Sequence, residues 1–256
     1  MRAFLRQHAQ SSQRFFMSYI PAAPHYPYDG TPERFKKFPD VEYKDFTPRY
    51  LNDLLYMDWV VASLLDELKA TGLLDRTLVV ITGDHGEMLG ENGGPIGHGW
   101  RLTPELANVP LIIMDPTRPE RAINYTVGSQ VDLLPTILDK LGVPLPHNQL
   151  YQGVSLYSPA AARARTIYLN SFSQYAVLEG RRMHFGERGK SHFRSYSIQN
   201  SGAESQYPEL RDPEASVPDF GQFDAFQAGL LKHYDYYRSL LQPRPETRLA
   251  AGVPRP

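Results

Sequence analysis

The stretch TLVVITGDHGEMLGENGGPIGHGW, residues 77–100, joins an apolar run to a loop that carries two histidines and three acidic residues. Residues 77–82, TLVVIT, are short and rich in β-branched side chains, which reads as a buried strand. Glycine fills seven of the nineteen positions from 82 to 100, too many for a regular element, so the strand opens into a loop. Asp84 and His85 stand at the mouth of that loop and His98 near its end. Open α/β sheets hold their ligands beyond the carboxyl ends of their strands, and this loop occupies such a place.

Upstream, YLNDLLYMDWVVASLLDEL at 50–68 sets Leu51, Leu54, Leu55, Asp58, Val61, Leu65 and Leu68 at helical spacing, with Gly72 where a C-terminal cap belongs. Downstream, VPLIIM at 109–114 is a second short apolar strand. QVDLLPTILDKLG at 130–142 is another amphipathic helix, with Pro135 in its first turn or two and a closing glycine. RFFMSYI at 14–20 reads as a further buried strand, and the Pro- and Gly-dense residues 24–40 as loop. The order strand, helix, strand, loop, strand, helix predicts an α/β fold with a mixed, mostly parallel sheet flanked by helices.

Beyond residue 146 the texture changes. TIYLNSFSQYAVLEGRRMHFGER at 166–188 predicts two or three short strands with turns, and FDAFQAGLLKHYDYYRSLL at 223–241 a closing helix. The expected organisation is therefore an α/β core over 14–146, a small antiparallel α+β subdomain over 147–241, and a disordered tail over 242–256.

Composition narrows the partners. With 27 basic against 28 acidic residues there is no basic footprint for nucleic acid. No apolar run approaches the roughly 18 residues that span a bilayer, and the N-terminal residues contain no apolar signal-peptide region. Cysteine is absent, which removes disulfides and thiolate metal sites.

The candidate site follows from these placements. A carboxylate beside an imidazole at Asp84 and His85 suits a divalent cation such as zinc or manganese. His25, in APHYPY, follows the expected strand at 14–20, and His98 sits between glycines that give an imidazole no packing reason to be there. Taken singly, Asp84 could cap a turn and His25 could be a packed surface ring. Glu87 and Glu91 read as solvent-facing loop charges, the alternative being acceptors for histidine N–H groups. His147, His184, His192 and His233 have no such setting and read as structural.

Taken in order, residues 50–99, ELANVPLIIMDP at 105–116 and SQVDLLPTILDKLGVPLP at 129–146 resemble the sulfatase family of the alkaline phosphatase superfamily. The resemblance runs from about Phe15 to Pro146, with a weaker echo in YAVLEGRRMHF at 175–185. It implies the α/β core and antiparallel C-terminal subdomain already read, and a sulfuric ester hydrolase acting on small-molecule or glycan sulfate esters. Asp84 and His85 match the pair that ligates the family's divalent metal, Ca2+ for a sulfatase and Mn2+ or Zn2+ in relatives. His25 and His98 match groups that contact the ester's anionic oxygens, as catalytic and substrate-binding residues. Trp100 offers a ring for stacking on substrate, although a loop tryptophan also packs readily on a core.

Two further readings stay open beside the sulfatase. Asp-His with His98 also fits a phosphoglycerol or phosphoethanolamine transferase, and a non-catalytic sulfatase-like binding module is the third. The family's nucleophile arises from Cys or Ser within C/S-x-P-x-R, ahead of these segments. Here SVPDF at 216–220 lacks the arginine and SPAAAR at 158–163 has the wrong spacing. The resemblance thus implies an N-terminal half, with nucleophile and first pair of acidic ligands, missing from this chain, which alone is expected to be inactive.

Overall fold

The computed structural model describes residues 1–40, 45–90, 95–99, 101–118, 120–144, 152–163, 165–187, 193–201, 204–206 and 209–210, with single positions at 228, 232 and 238. The chain divides into two compact units, one of residues 1–99 and 105–122, the other of residues 100–104 and 123–256.

In the first unit the long helix α2, Thr47–Ala70, matches the periodic stretch read from the sequence and extends it at both ends. Pro48 lies in its first turn, where no backbone N–H is required. At the other end Gly72 takes φ +68°, the Gly72 N–H donates to the Lys69 carbonyl and the Leu73 N–H to the Leu68 carbonyl at 2.9 Å. These bonds satisfy carbonyls that the ending helix leaves open, and they require a left-handed residue at that point. Helix α1, Arg2–Ala9, has no counterpart in the sequence reading. It buries Leu5 with Leu68, Leu73 and Val79, and Phe15, Met17, Leu65 and Met114 pack around this cluster. Arg6 adds a two-pronged hydrogen bond to Glu67, at 2.6 and 3.3 Å, which draws the Glu67 carboxyl below its ordinary range.

Strand β1, Val79–Thr82, pairs with β4, Leu111–Met114, and the register runs Val79 to Met114 through Thr82 to Leu111. This pairing is antiparallel, where the sequence reading expects a mostly parallel sheet; every ladder among the described residues is antiparallel. An apolar β-branched run looks the same in either kind of ladder, because direction is set by the path of the connection and not by the strand's composition. The pair is also less buried than read, with Ile112 51% exposed. The strand expected at 14–20 does not form. Phe15 and Met17 alternate inward onto the Leu5 cluster, whereas Phe16 is 79% and Ile20 88% exposed. The twofold alternation is there, but extended chain becomes strand only beside a neighbour that takes its ladder bonds.

The second unit holds a five-stranded antiparallel sheet of β5 (Thr166–Asn170), β6 (Gln174–Glu179), β7 (Arg182–Glu187), β8 (Phe193–Ser197) and a short strand, Glu209–Leu210. Each of β5 to β8 pairs with the next, and Glu209–Leu210 lies on the outer side of β8. Ile167, Ala176, Val177, Leu178, Met183 and Phe185 form its buried apolar set. Helix α4, Leu133–Lys140, belongs to this unit and carries Pro135 in its first turn as expected. The helix read at 223–241 lies outside the described residues except at 228, 232 and 238, which are helical. The tail at 242–256 lies outside them altogether. No helix among the described residues is long and apolar enough to cross a membrane.

Candidate metal and anion site

Three local devices in the first unit bring the histidines together. The first is the turn after β1. The Gly86 N–H donates to the Leu106 carbonyl at 2.8 Å, and a Cβ at Gly86 would lie 2.2 Å from the Glu105 carbonyl oxygen. Only glycine lets the backbone pass there, and this contact directs Asp84 and His85.

The second device is a short hairpin of β2, Met88–Leu89, and β3, Ile96–Gly97, paired Met88 to Gly97 and Leu89 to Ile96. One step further along that register sets Glu87 opposite His98, and His98 Nδ1 lies 2.9 Å from Glu87 Oε2. The third is α2. Its Asn52 side chain accepts the Lys37 and Phe38 N–H groups and donates to the Phe38 carbonyl, and Asp53 accepts from Thr31. Tyr50 and Phe46 pack against the Tyr28 ring. Together these contacts hold the loop that carries His25.

The outcome is a cluster of three imidazoles, tilted and edge-on to one another. The His85 and His98 ring centroids are 3.8 Å apart and those of His25 and His98 are 5.9 Å apart. Asp84 Oδ2 lies 3.6 Å from His85 Nε2, beyond hydrogen-bond range. Two ligands each about 2 Å from one cation are separated by roughly 3–3.5 Å, so this spacing suits a shared ion.

The proton arrangement follows from the acceptors. His25 Nδ1 lies 2.7 Å from the Tyr26 carbonyl, His85 Nδ1 lies 2.8 Å from the Gly86 carbonyl, and His98 Nδ1 faces Glu87. Carbonyl and carboxylate oxygens only accept, so each Nδ1 carries the hydrogen and each Nε2 is left for a ligand. Donor atoms of His85, Glu87 and His98 all lie within 4.8 Å of one another. Glu87 Oε1 and the Tyr28 hydroxyl are both buried, and neither makes a well-formed hydrogen bond among the described residues, although Tyr28 bears on the Glu87 carboxylate. The His85, Glu87 and His98 donor atoms, with the exposed Asp84 carboxylate 3.6 Å from His85 Nε2, are of the kind that fits a divalent cation. Burial first, and then Glu87, push the Tyr28 hydroxyl far above its ordinary pKa, so it stays protonated.

Asp84, His85, His25 and His98 thus fall in one place. Glu87 corrects the sequence reading: its side chain is only 5% exposed and holds His98, where a solvent-facing charge was expected. The signal that would have found it is the hairpin register, which a single sequence does not reveal through a loop of glycines. His184, read as structural, is buried and bonded to Ser195 at 2.9 Å. Trp100 and Glu91 lie outside the described residues, as do His147, His192 and His233.

A family model described as Sulfatase matches residues 1–143. The chain belongs to the sulfatase family. Among curated relatives it is 32% identical over 159 residues to the low-salt glycan biosynthesis sulfotransferase Agl7 of Haloferax volcanii, covering 59% of this chain and 38% of that protein. It is 33% identical over 112 residues to arylsulfatase K of Bos taurus, covering 44% of this chain and 20% of that one. The chain therefore spans a fifth to two-fifths of the length of these relatives. A solved protein of the alkaline phosphatase superfamily from Vibrio parahaemolyticus superposes with a TM-score of 0.56 at 17% identity, covering 95% of this chain and 54% of that one. The fold is that superfamily's α/β architecture with a small antiparallel C-terminal sheet.

Proposed function

We propose that the chain forms part of a metal-dependent sulfatase that hydrolyses sulfate esters of glycans or small molecules. Asp84 and His85 hold the divalent cation, while His25 and His98 face the anionic oxygens of the ester. The reading rests on one observation above all: the rings of His25, His85 and His98 lie together, each held at Nδ1, with Asp84 beside His85 on the loop after β1. The sulfatase family match and the relatives' names, arylsulfatase and glycan biosynthesis sulfotransferase, support the substrate class.

A divalent cation at Asp84 and His85 supplies Lewis-acid polarisation of an ester oxygen. The chain's own residues do the remaining work at this site. His98 and His25 face the sulfuryl oxygens, where an imidazole N–H would offset the charge that builds as the ester bond breaks. The Glu105 backbone against Gly86 keeps Asp84 and His85 from swinging away. None of these residues is a nucleophile, and we take that group, with the other ligands, to come from a further segment of polypeptide. Calcium is the ion implied by the family, while the imidazole donors suit manganese or zinc.

Calorimetric titration of Ca2+, Mn2+ and Zn2+ into the protein and into Asp84→Ala and His85→Ala tests the cation. Each variant is expected to lose about tenfold or more in affinity for the preferred ion. Unchanged affinity in both would remove the metal assignment. Turnover of 4-nitrophenyl sulfate against 4-nitrophenyl phosphate by the full-length protein tests the ester, and a preference for phosphate would replace the sulfatase reading with the phosphoester one.

A further inference from the structure

Two of the three clustered imidazoles, those of His25 and His85, are held at Nδ1 by backbone carbonyls, which every residue has. His98 alone among them is held by a side chain, and an unusual one. Glu87 is nine-tenths buried or more, sits directly across the hairpin from His98, and gives one oxygen to the ring at 2.9 Å. A buried carboxylate is costly to keep, and a position that needed only packing would be filled more cheaply by an apolar or amide side chain. Its surroundings are built closely around it. A Cβ on Gly97 would stand 3.7 Å from Glu87 Oε1, and Tyr28, held at φ +61°, brings its buried hydroxyl to the same carboxylate. A non-glycine residue rarely adopts that backbone region, so the surrounding contacts must impose it.

We propose that Glu87 is a positioning residue for His98: its carboxylate takes the Nδ1–H, fixes the orientation of the ring and leaves Nε2 as the atom facing the site. A carboxylate behind a functional imidazole does this in many sites by selecting the tautomer and holding the ring plane. The inference deepens the proposed function, since it specifies how one of that site's anion contacts is aimed.

Nitrogen-15 NMR of histidine-labelled protein, with His98→Ala assigning the His98 signals, reads the ring directly. At alkaline pH, where the ring is neutral, the wild type is expected to show a proton-bearing Nδ1 and a pyridine-like Nε2 at His98. In Glu87→Ala the pyridine-like shift is expected to move toward Nδ1, because a free imidazole favours hydrogen on Nε2. Glu87→Gln keeps an acceptor oxygen and is expected to restore much of the wild-type pattern, which a purely space-filling role would not require. A pyridine-like Nδ1 in the wild type, or identical His98 shifts in wild type and Glu87→Ala, would overturn the proposal. If Glu87→Ala does not fold, the wild-type and Glu87→Gln spectra still decide it. The shifts report the ring whether or not any ester is cleaved, so the positioning role and the hydrolase reading fail separately.

Discussion

Asp132, in the second unit, has both carboxylate oxygens occupied. Oδ1 accepts from the Val154 N–H and an Arg165 Nη, and Oδ2 accepts from the Ser129 N–H and the other Arg165 Nη, at 2.5–2.9 Å. Glu87, in the first unit, is almost as buried, yet one of its oxygens makes no well-formed hydrogen bond, with Tyr28 bearing on the carboxylate, and the other holds a histidine beside two more. The histidines differ in the same way. His184 lies within its sheet against Ser195, whereas the His98 ring lies beside those of His25 and His85. A buried group that is fully paired inside the protein contributes to the fold, and one left with an open valence is arranged for something that arrives.

This contrast can be broken most forcefully at Asp132. Asp132→Ala strands a largely buried guanidinium and removes a helix-capping acceptor, so urea denaturation should show a loss of about 3–5 kcal/mol. Glu87→Ala should change stability by less than about 1 kcal/mol, because losing one hydrogen bond is offset by relief of a buried charge with an unpaired oxygen. Comparable losses in both variants would erase the distinction between the two carboxylates. Gly86→Ala comes next. Its methyl would meet the Glu105 carbonyl oxygen, and a displaced turn should lower the unfolding free energy by about 1–3 kcal/mol and weaken cation binding together.

The smallest effect expected is a pH slope. Burial lowers the His184 pKa below its ordinary 6.5, so the unfolded chain binds a proton more readily than the folded one. Stability from this group is therefore complete above about 6.5 and is lost as pH falls from there toward the folded pKa. His184→Asn should flatten the dependence of the melting temperature on pH in that window; an unaltered slope would mean that other groups cause it.

Much of this was legible along the chain because it depends on neighbours in sequence. The spacing of Leu51, Leu54, Leu65 and Leu68 and the glycine at 72 define α2, and the β-branched runs define β1 and β4. The turns in 166–187 likewise separate β5, β6 and β7. Asp84, His85, His25 and His98 were identifiable because glycine and proline around them leave polar rings without a packing role. What was not legible depends on who lies across from whom. Residues 14–20 have the pattern of a strand and lack the partner, α1 gains its place only by burying Leu5 on α2, and Glu87 becomes a positioning group only because the register puts it opposite His98.

The sequence by itself determined α2, β1, β4 and β5 to β7 as element types, the stop of α2 and the set of imidazoles and carboxylates available for chemistry, since propensity, capping and side-chain identity are local. The tertiary structure alone decided the antiparallel pairing of β1 with β4, the 3.8 Å approach of His85 to His98 and the burial of Glu87. These are contacts between residues distant along the chain, and their geometry exists only once the chain has closed on itself.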